Sequence, residues 1–326
     1  MIELIQVCVF SFVIGGSGAW FATKYGSRMG IDDIPNNRSS HVEVTPKCGG
    51  IGILIAFVIS SIMLSIPIYL WFTAVIVSLI SFWGGDKHRL SAKQRLFFQF
   101  ACSFVFLIFV ESFKSAPLNS FFLLFALAVF IVGTSNFYNF MDGIDGIAGI
   151  TGVVAFTLLA IYTHMNGLDS SYTILCIGLS FSCCGFLFFN LPRARVFLGD
   201  VGSILLGFVF SCLVILLSED MTDLVVMAGF LSTFYFDEIF TMIRRIYKKE
   251  SLLRPHRKHI YQLLANELSI SHWKVAVAYG VVQFFMGLTI IYCRSEKVFI
   301  LPLFYLVYIL LFLFLSMKVL RMAAEK

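Results

Sequence analysis

Charge is what this sequence has least of. Asp, Glu, Lys and Arg make up 13% of its 326 residues, against 59% hydrophobic ones, and the mean hydropathy is +0.90. A soluble globular domain carries about 25% charge, so that class is excluded. The net charge of +5 is scattered between apolar runs and does not point to a nucleic-acid partner. Paired cysteines are also missing. Eight cysteines occur without a C-x-x-C spacing, which supports neither a zinc site nor a disulfide framework. Most fall inside apolar runs and read as small packing residues. No basic leader precedes the first apolar stretch and no cleavage site follows it, so it reads as a retained helix. Internal repeats and low-complexity tracts are absent. No polar stretch is long enough to stand as a soluble unit, which leaves one membrane-embedded domain over residues 1–326.

What the chain has instead is one apolar run after another. They lie at 2–22, 49–65, 66–84, 96–113, 119–137, 147–165, 172–190, 203–218, 224–243, 272–292 and 298–320. The second and third abut at Ser65-Ile66-Pro67 and predict a tight hairpin. The fold class is therefore all-α, a polytopic integral membrane protein of about eleven transmembrane helices in a lipid bilayer. Gly15, Gly16, Gly18 and Ala19 suit the first helix to close packing on a neighbour. With eleven spans, 21 of the 24 Lys and Arg residues fall on one side and only Lys114, Arg294 and Lys297 on the other. The positive-inside rule makes the first side cytoplasmic, with the C-terminus there and the N-terminus outside.

The polar residues concentrate in the loops of that cytoplasmic side. The densest stretch is Asn136-x-x-Asn139-x-x-Asp142-Gly143-Ile144-Asp145-Gly146. Carboxylates beside hydrocarbon mark function by default, and the glycines admit close approach of a ligand. The competing structural reading is a helix N-terminus capped by Asp142 or Asn139. Four polar groups exceed what one cap needs. Asp200, between Gly199 and Gly202 at the start of an apolar run, reads either as a cap or as a further carboxylate for the same site. Carboxylates of this type suit Mg²⁺, which takes one or two of them together with phosphate oxygens. Arg38, His41 and Lys47 precede Gly49-Gly50 at a helix start, a setting that receives phosphate or ordinary positive-inside charge equally well. Asp86, Arg89, Lys93 and Arg95 sit in a basic loop that anionic headgroups would approach. His256, Arg257 and His259 lie in the longest basic loop. Two histidines without a third ligand make a diphosphate site more economical than a metal site, and a solvated charge run is the plainer alternative. The spans themselves are nearly free of charge, apart from Asp237 and Glu238 near a cytoplasmic end. A transporter is expected to place polar groups near mid-span. The pattern instead favours an enzyme that meets a soluble phosphorylated substrate at the inner face and a lipid in the membrane.

The Asn136–Gly146 stretch resembles the signature of the polyprenyl-phosphate N-acetylhexosamine-1-phosphate transferases, the WecA/MraY family. Four more blocks resemble the family in the same order. They are Pro35 to His41 with Thr45-Pro46-x-x-Gly49-Gly50, then Asp86-x-x-x-Leu90-Ser91-Ala92-x-x-Arg95, then Phe197-x-Gly199-Asp200-x-Gly202-Ser203, and last His256-Arg257-x-His259-x-Tyr261-Gln262. The resemblance implies eleven helices around a cytoplasmic active site in a bacterial inner membrane. It implies transfer of sugar 1-phosphate from a UDP-N-acetylhexosamine to undecaprenyl phosphate with release of UMP, the step that begins O-antigen or related lipopolysaccharide and envelope polysaccharide synthesis. Mg²⁺, or Mn²⁺ in its place, is the implied cofactor, and a homodimer is compatible with it. Asp200 matches the metal-binding aspartate. Asn139 and Asp142 match positions lining the nucleotide and metal site, and Asp145 and Phe197 match those that hold uracil. Asp86 and His259 match further catalytic positions. Arg89, Lys93 and Arg95 face the lipid phosphate, while the 254–262 loop, with His256 and Arg257, faces the diphosphate-sugar.

Two departures stand out. The family's Asp-Asp pair is here Gly85-Asp86, and its His-Ile-His-His is here His259-Ile260-Tyr261-Gln262. The second resembles the O-antigen branch that uses UDP-N-acetyl-6-deoxyhexoses. The peptidoglycan branch, a phospho-MurNAc-pentapeptide transferase, carries a three-histidine run that is missing here. Asp142-x-x-Asp145-Gly146 also begins the motif of CDP-alcohol phosphotransferases, but no further acid follows before Asp169. A lipid-linked sugar flippase, the reading from another class, needs a polar path across the membrane.

Overall fold

The computed structural model describes residues 2–35, 40–85, 90–110, 120–251, 256–296 and 300–325. The chain folds into α1 (Ile2–Tyr25), α2 (Ile51–Met63), α3 (Ile68–Gly85), α4 (Ala92–Phe109), α5 (Ser120–Phe140), α6 (Ile147–Met165) and α7 (Ser170–Asn190). It continues with α8 (Gly199–Leu217), α9 (Met221–Ala228), α10 (Ser232–Tyr247), the short α11 (Ile260–Gln262), α12 (His272–Glu296) and α13 (Ile300–Ala324). Among the described residues nine helical segments are long and apolar enough to cross a membrane, with α9 and α10 counted as one. The α2 helix and the first 17 residues of α3 are shorter apolar segments. The all-α polytopic expectation therefore holds. The α2–α3 hairpin turns where expected, with Ser65 at φ +53° and the Ile66 amide donating to the Ser61 carbonyl at 2.8 Å.

The α8 helix forms the core. From Val201 to Ile215 every residue is buried, and α3 and α5 pack along it. No charge follows Asp200 in this helix, so its whole circumference can be enclosed. The glycines of α1 do what their spacing predicts. A Cβ on Gly15 would sit 2.2 Å from the Ser182 carbonyl oxygen of α7, and one on Gly18 would sit 2.4 Å from Gly52 Cα of α2. Backbone cannot yield as a side-chain tip can. Gly15→Leu is therefore expected to cost about 1–3 kcal/mol or more by overpacking. Thermal unfolding in detergent checks this, and an unchanged midpoint would refute the close α1–α7 contact.

Two details differ from the sequence expectation. The α4 helix begins at Ala92, about one turn earlier than its apolar run. Ser91 caps it reciprocally with Gln94, so the charged Lys93 and Arg95 belong to the first turn. The span read as 224–243 is broken at Gly229–Leu231. Gln283 of α12 repairs the break: its Nε2 donates to the Phe230 carbonyl at 2.7 Å, and Thr233 donates to its Oε1 at 3.2 Å. This buried mid-span polar group is thereby explained as backbone satisfaction.

Charge gathers at the two ends of the bundle. At one, Tyr162 donates to Asp223 at 2.6 Å, and Arg294 approaches the same carboxylate at 3.2 Å. This joins the C-terminal ends of α6 and α12 to the start of α9. The other end, where α5 and α7 finish and α4, α6, α8 and α12 begin, holds the candidate site.

Candidate active site

The loop between α5 and α6 displays its carboxylates because another helix supplies the cap. Gly146, at φ +85°, is the N-cap of α6, and its amide donates to Asn190 Oδ1 of α7 at 2.7 Å. Asn190 also donates to the Val196 carbonyl at 2.9 Å. Neither Asp142 nor Asn139 is used as the cap. Gly143 is required by crowding: a Cβ there would lie 2.2 Å from Tyr261 Oη, which donates to the Phe140 carbonyl at 3.2 Å.

Asp200 stands in the first turn of α8, one residue after Gly199 at φ +73°. Its carboxylate does not cap its own helix. It accepts from Arg95 of α4 at 3.3 Å and from Asn139 of α5 at 3.0 Å. Asn139 donates as well to Ser203 Oγ at 2.8 Å. The first loop is fastened to this corner. The Phe197 amide donates to the Pro46 carbonyl at 2.8 Å, and the Gly49 and Gly50 amides donate to the Phe197 and Leu198 carbonyls at 2.9 and 3.0 Å.

These segments enclose a cleft of about 310 Å³ lined by Asn139, Asp142, Asp145, Asn190, Phe197 and Asp200. His41, Lys47, Asp33, Ser40, Gln262 and His272 complete its polar wall. Asp142 is held up to a pKa of about 7, first by burial and then by the charges of Asp200 and Asp145. Asp145 meets His272 Nδ1 at 3.2 Å. The His41 ring lies edge-on to Phe197 at 4.8 Å between centroids. No cluster of three or more His, Cys, Asp or Glu suited to a metal occurs among the described residues. Two crowded carboxylates, with oxygens to come from a phosphate ligand and water, nonetheless fit Mg²⁺, which rarely takes an all-protein cage.

Of the residues singled out in the sequence, Asn139, Asp142, Asp145, Phe197, Asp200, His41 and Lys47 share this cleft, and Arg95 reaches it through Asp200. Arg38, Asp86 and Arg89 lie outside the described residues. Lys93 is exposed in the first turn of α4 and Arg257 is exposed in its loop; neither lines the cleft, nor do His256 and His259. His259 is buried between Asp237 and Glu238, its ring nitrogens 3.6 and 3.4 Å from their carboxylates. The cause is Asp237, which accepts the Ile260 and Tyr261 amides at 2.8 and 3.1 Å and draws the α11 turn inward. His256 is depressed to a pKa of about 4 by burial and by His259, Arg245 and Lys258, so it is neutral at pH 7. Sequence reasoning passed over His272, Asn190, Asp33 and Ser40. Ser40 lies within the Pro35–His41 block without being singled out there, whereas Asn190, His272 and Asp33 stand outside every block.

Comparison with known proteins matches residues 67–218 to the model of "Glycosyl transferase family 4". A "Probable undecaprenyl-phosphate N-acetylglucosaminyl 1-phosphate transferase" of Bacillus subtilis is 28% identical over 318 residues, covering 92% of this chain and 87% of that protein. A "Phospho-N-acetylmuramoyl-pentapeptide-transferase" of Staphylococcus saprophyticus is 28% identical over 286 residues, covering 75% and 86%. One of the same name from Rickettsia montanensis is 28% identical over 289 residues, covering 73% and 78%.

Proposed function

We propose, from the premise that this chain belongs to the glycosyl transferase family 4, that it moves N-acetylhexosamine 1-phosphate from a UDP-sugar to undecaprenyl phosphate. One observation carries the reading. Asp142, Asp200 and Asn139 converge with Arg95, Asp145 and Phe197 at one end of an apolar bundle, where a soluble nucleotide and a membrane-held lipid can meet.

In this reading an oxygen of the lipid phosphate attacks the sugar-bearing phosphorus of the donor. The new P–O bond forms as the bridging P–O bond to uridine monophosphate breaks, and that electron pair leaves on UMP. The carboxylates of Asp142 and Asp200 would hold Mg²⁺, or Mn²⁺, which when bound spreads the charge of the diphosphate. Asn139 fixes the Asp200 carboxylate, so the ligand geometry is set before substrate arrives. Arg95 brings positive charge beside it, and its Nε is buried without a hydrogen-bond partner among the described residues. A lipid phosphate oxygen would satisfy that nitrogen. Phe197 offers an aromatic face to a base. The buried Asp237–His259–Glu238 group holds the Tyr261–Gln262 turn against Gly143, a supporting role rather than a chemical one. The basic loops and the location of the cleft at their end of the bundle support an active site on the cytoplasmic face of a bacterial inner membrane, with residues 1–326 acting as one unit.

Purified protein with undecaprenyl phosphate, Mg²⁺ and a panel of UDP-N-acetylhexosamines, including the 6-deoxy sugars and UDP-MurNAc-pentapeptide, should release UMP. Release that requires both lipid and metal supports the reaction and identifies the sugar and its pathway. Silence across the panel from folded protein would overturn it.

A further inference from the structure

His272 is a polar residue of the cleft that no sequence block contains. It opens α12, is 127 residues from Asp145 and meets it across the wall. Its Nδ1 lies 3.2 Å from Asp145 Oδ2 and 3.4 Å from the Asp145 amide nitrogen. One ring nitrogen cannot donate to the first and accept from the second at once. The Asp145 amide at 3.4 Å approaches Nδ1 as a donor, but a lone pair held 3.2 Å from a carboxylate would be repelled, so we assign the proton to Nδ1, facing Oδ2 as an ion-pair contact. That contact is between charged partners and engages Oδ2, while Oδ1 takes no part in it. Both side chains are mostly enclosed, at 21% and 13% exposure, and both line the cleft. A held carboxylate in a cleft that also holds the aromatic ring of Phe197 is suited to accept an N–H from a flat heterocycle.

We propose that His272 is a positioning residue for the nucleotide donor: it fixes the Asp145 carboxylate so that its other oxygen accepts a ring N–H of the donor's base. This rests on the donor-site reading above and adds the residue that orients it. The inference also separates two ends of the cleft. Among the described residues His272 makes its polar contacts to Asp145 and none to Asp142 or Asp200.

The test compares wild type, His272→Phe and His272→Asn in lipid nanodiscs, by calorimetry with UDP-N-acetylglucosamine and Mg²⁺ and by UMP release. Phe keeps the ring volume without a donor, whereas Asn keeps an N–H near the place of Nδ1. Loss of one charge-assisted contact predicts a rise of about ten- to a hundredfold in donor Kd and KM for His272→Phe. Its kcat at saturating donor and its KM for undecaprenyl phosphate should stay within about threefold. His272→Asn should recover most of the loss, which a merely structural defect would not allow. If wild type binds the donor and His272→Phe binds it equally well, or if KM for the lipid rises in step, the positioning role is overturned while the transfer reaction stands. If wild type binds none of the UDP-sugars of the panel, the donor reading itself falls and takes this inference with it.

Discussion

Asp200→Asn should abolish most turnover while leaving the fold in place. Asparagine matches the shape of aspartate, and its amide oxygen can still accept the Asn139 bond, which is 3.0 Å long. The ion pair to Arg95 is lost, but both side chains are 35% exposed, and an exposed pair contributes little to stability. What disappears, on the proposed reading, is a hard anionic ligand where diphosphate charge would be handled. Removing one such group from a preorganised site costs about 10²–10³ in kcat, and removing a metal ligand costs more. The assay is kcat by UMP release across a Mg²⁺ titration, with thermal unfolding as the control for folding. Near-wild-type kcat would take Asp200 off the metal site.

Asp142→Asn should lose turnover on the same scale but gain stability, and the direction depends on pH. The folded protein holds a proton on Asp142 up to pH about 7, whereas an ordinary aspartate releases it near 3.8. Stability from this group is therefore full below pH 3.8 and lost as pH rises through about 7, where the unfolded chain binds fewer protons than the native one. In chelator, the midpoint of the wild type should fall between about pH 5 and pH 8, and the variant should lack that part of the slope. Added Mg²⁺ should raise the wild-type midpoint more at about pH 8 than at pH 6, because a ligand must shed its proton to bind metal. A variant equally unstable at high pH, or one stabilised by Mg²⁺ as wild type is, would contradict this account. Gain of stability with loss of function is what a site strained by like charges should show.

Much of this was readable before any coordinates. Eleven apolar runs became eleven apolar helical segments among the described residues, because helices must satisfy their own backbone in lipid. The boundaries failed where a side chain and not hydrophobicity sets them, as at Ser91, whose capping box starts α4 in charged sequence. The break at Gly229–Leu231 was hidden because its compensation, Gln283, lies on a distant helix. The site followed the same division. Asp142, Asp145 and Asp200, which share the cleft, were singled out because carboxylates beside hydrocarbon are conspicuous. His272 and Asn190 were missed because each is one polar residue at a helix end, and only tertiary contact turns it into a partner for the α5–α6 loop. Conversely, His256 and His259 looked chemical in sequence because histidine often is. The structure buries His259 between Asp237 and Glu238 and outside the cleft lining.

The α6 and α12 helices touch at both extremities: Asp145 and His272 meet at the cleft, while Tyr162 and Arg294 share Asp223 at the far end. Between them Gly280 and Gly287 of α12 lie so close to α6 that a Cβ would fall within 2.4 and 2.3 Å of Ile150 and Leu158. From His272 to Arg294 the helix is about 33 Å long. It is a beam clamped at each end and packed along its length, so one rigid element carries both His272, the partner of Asp145, and Arg294, the partner of Asp223.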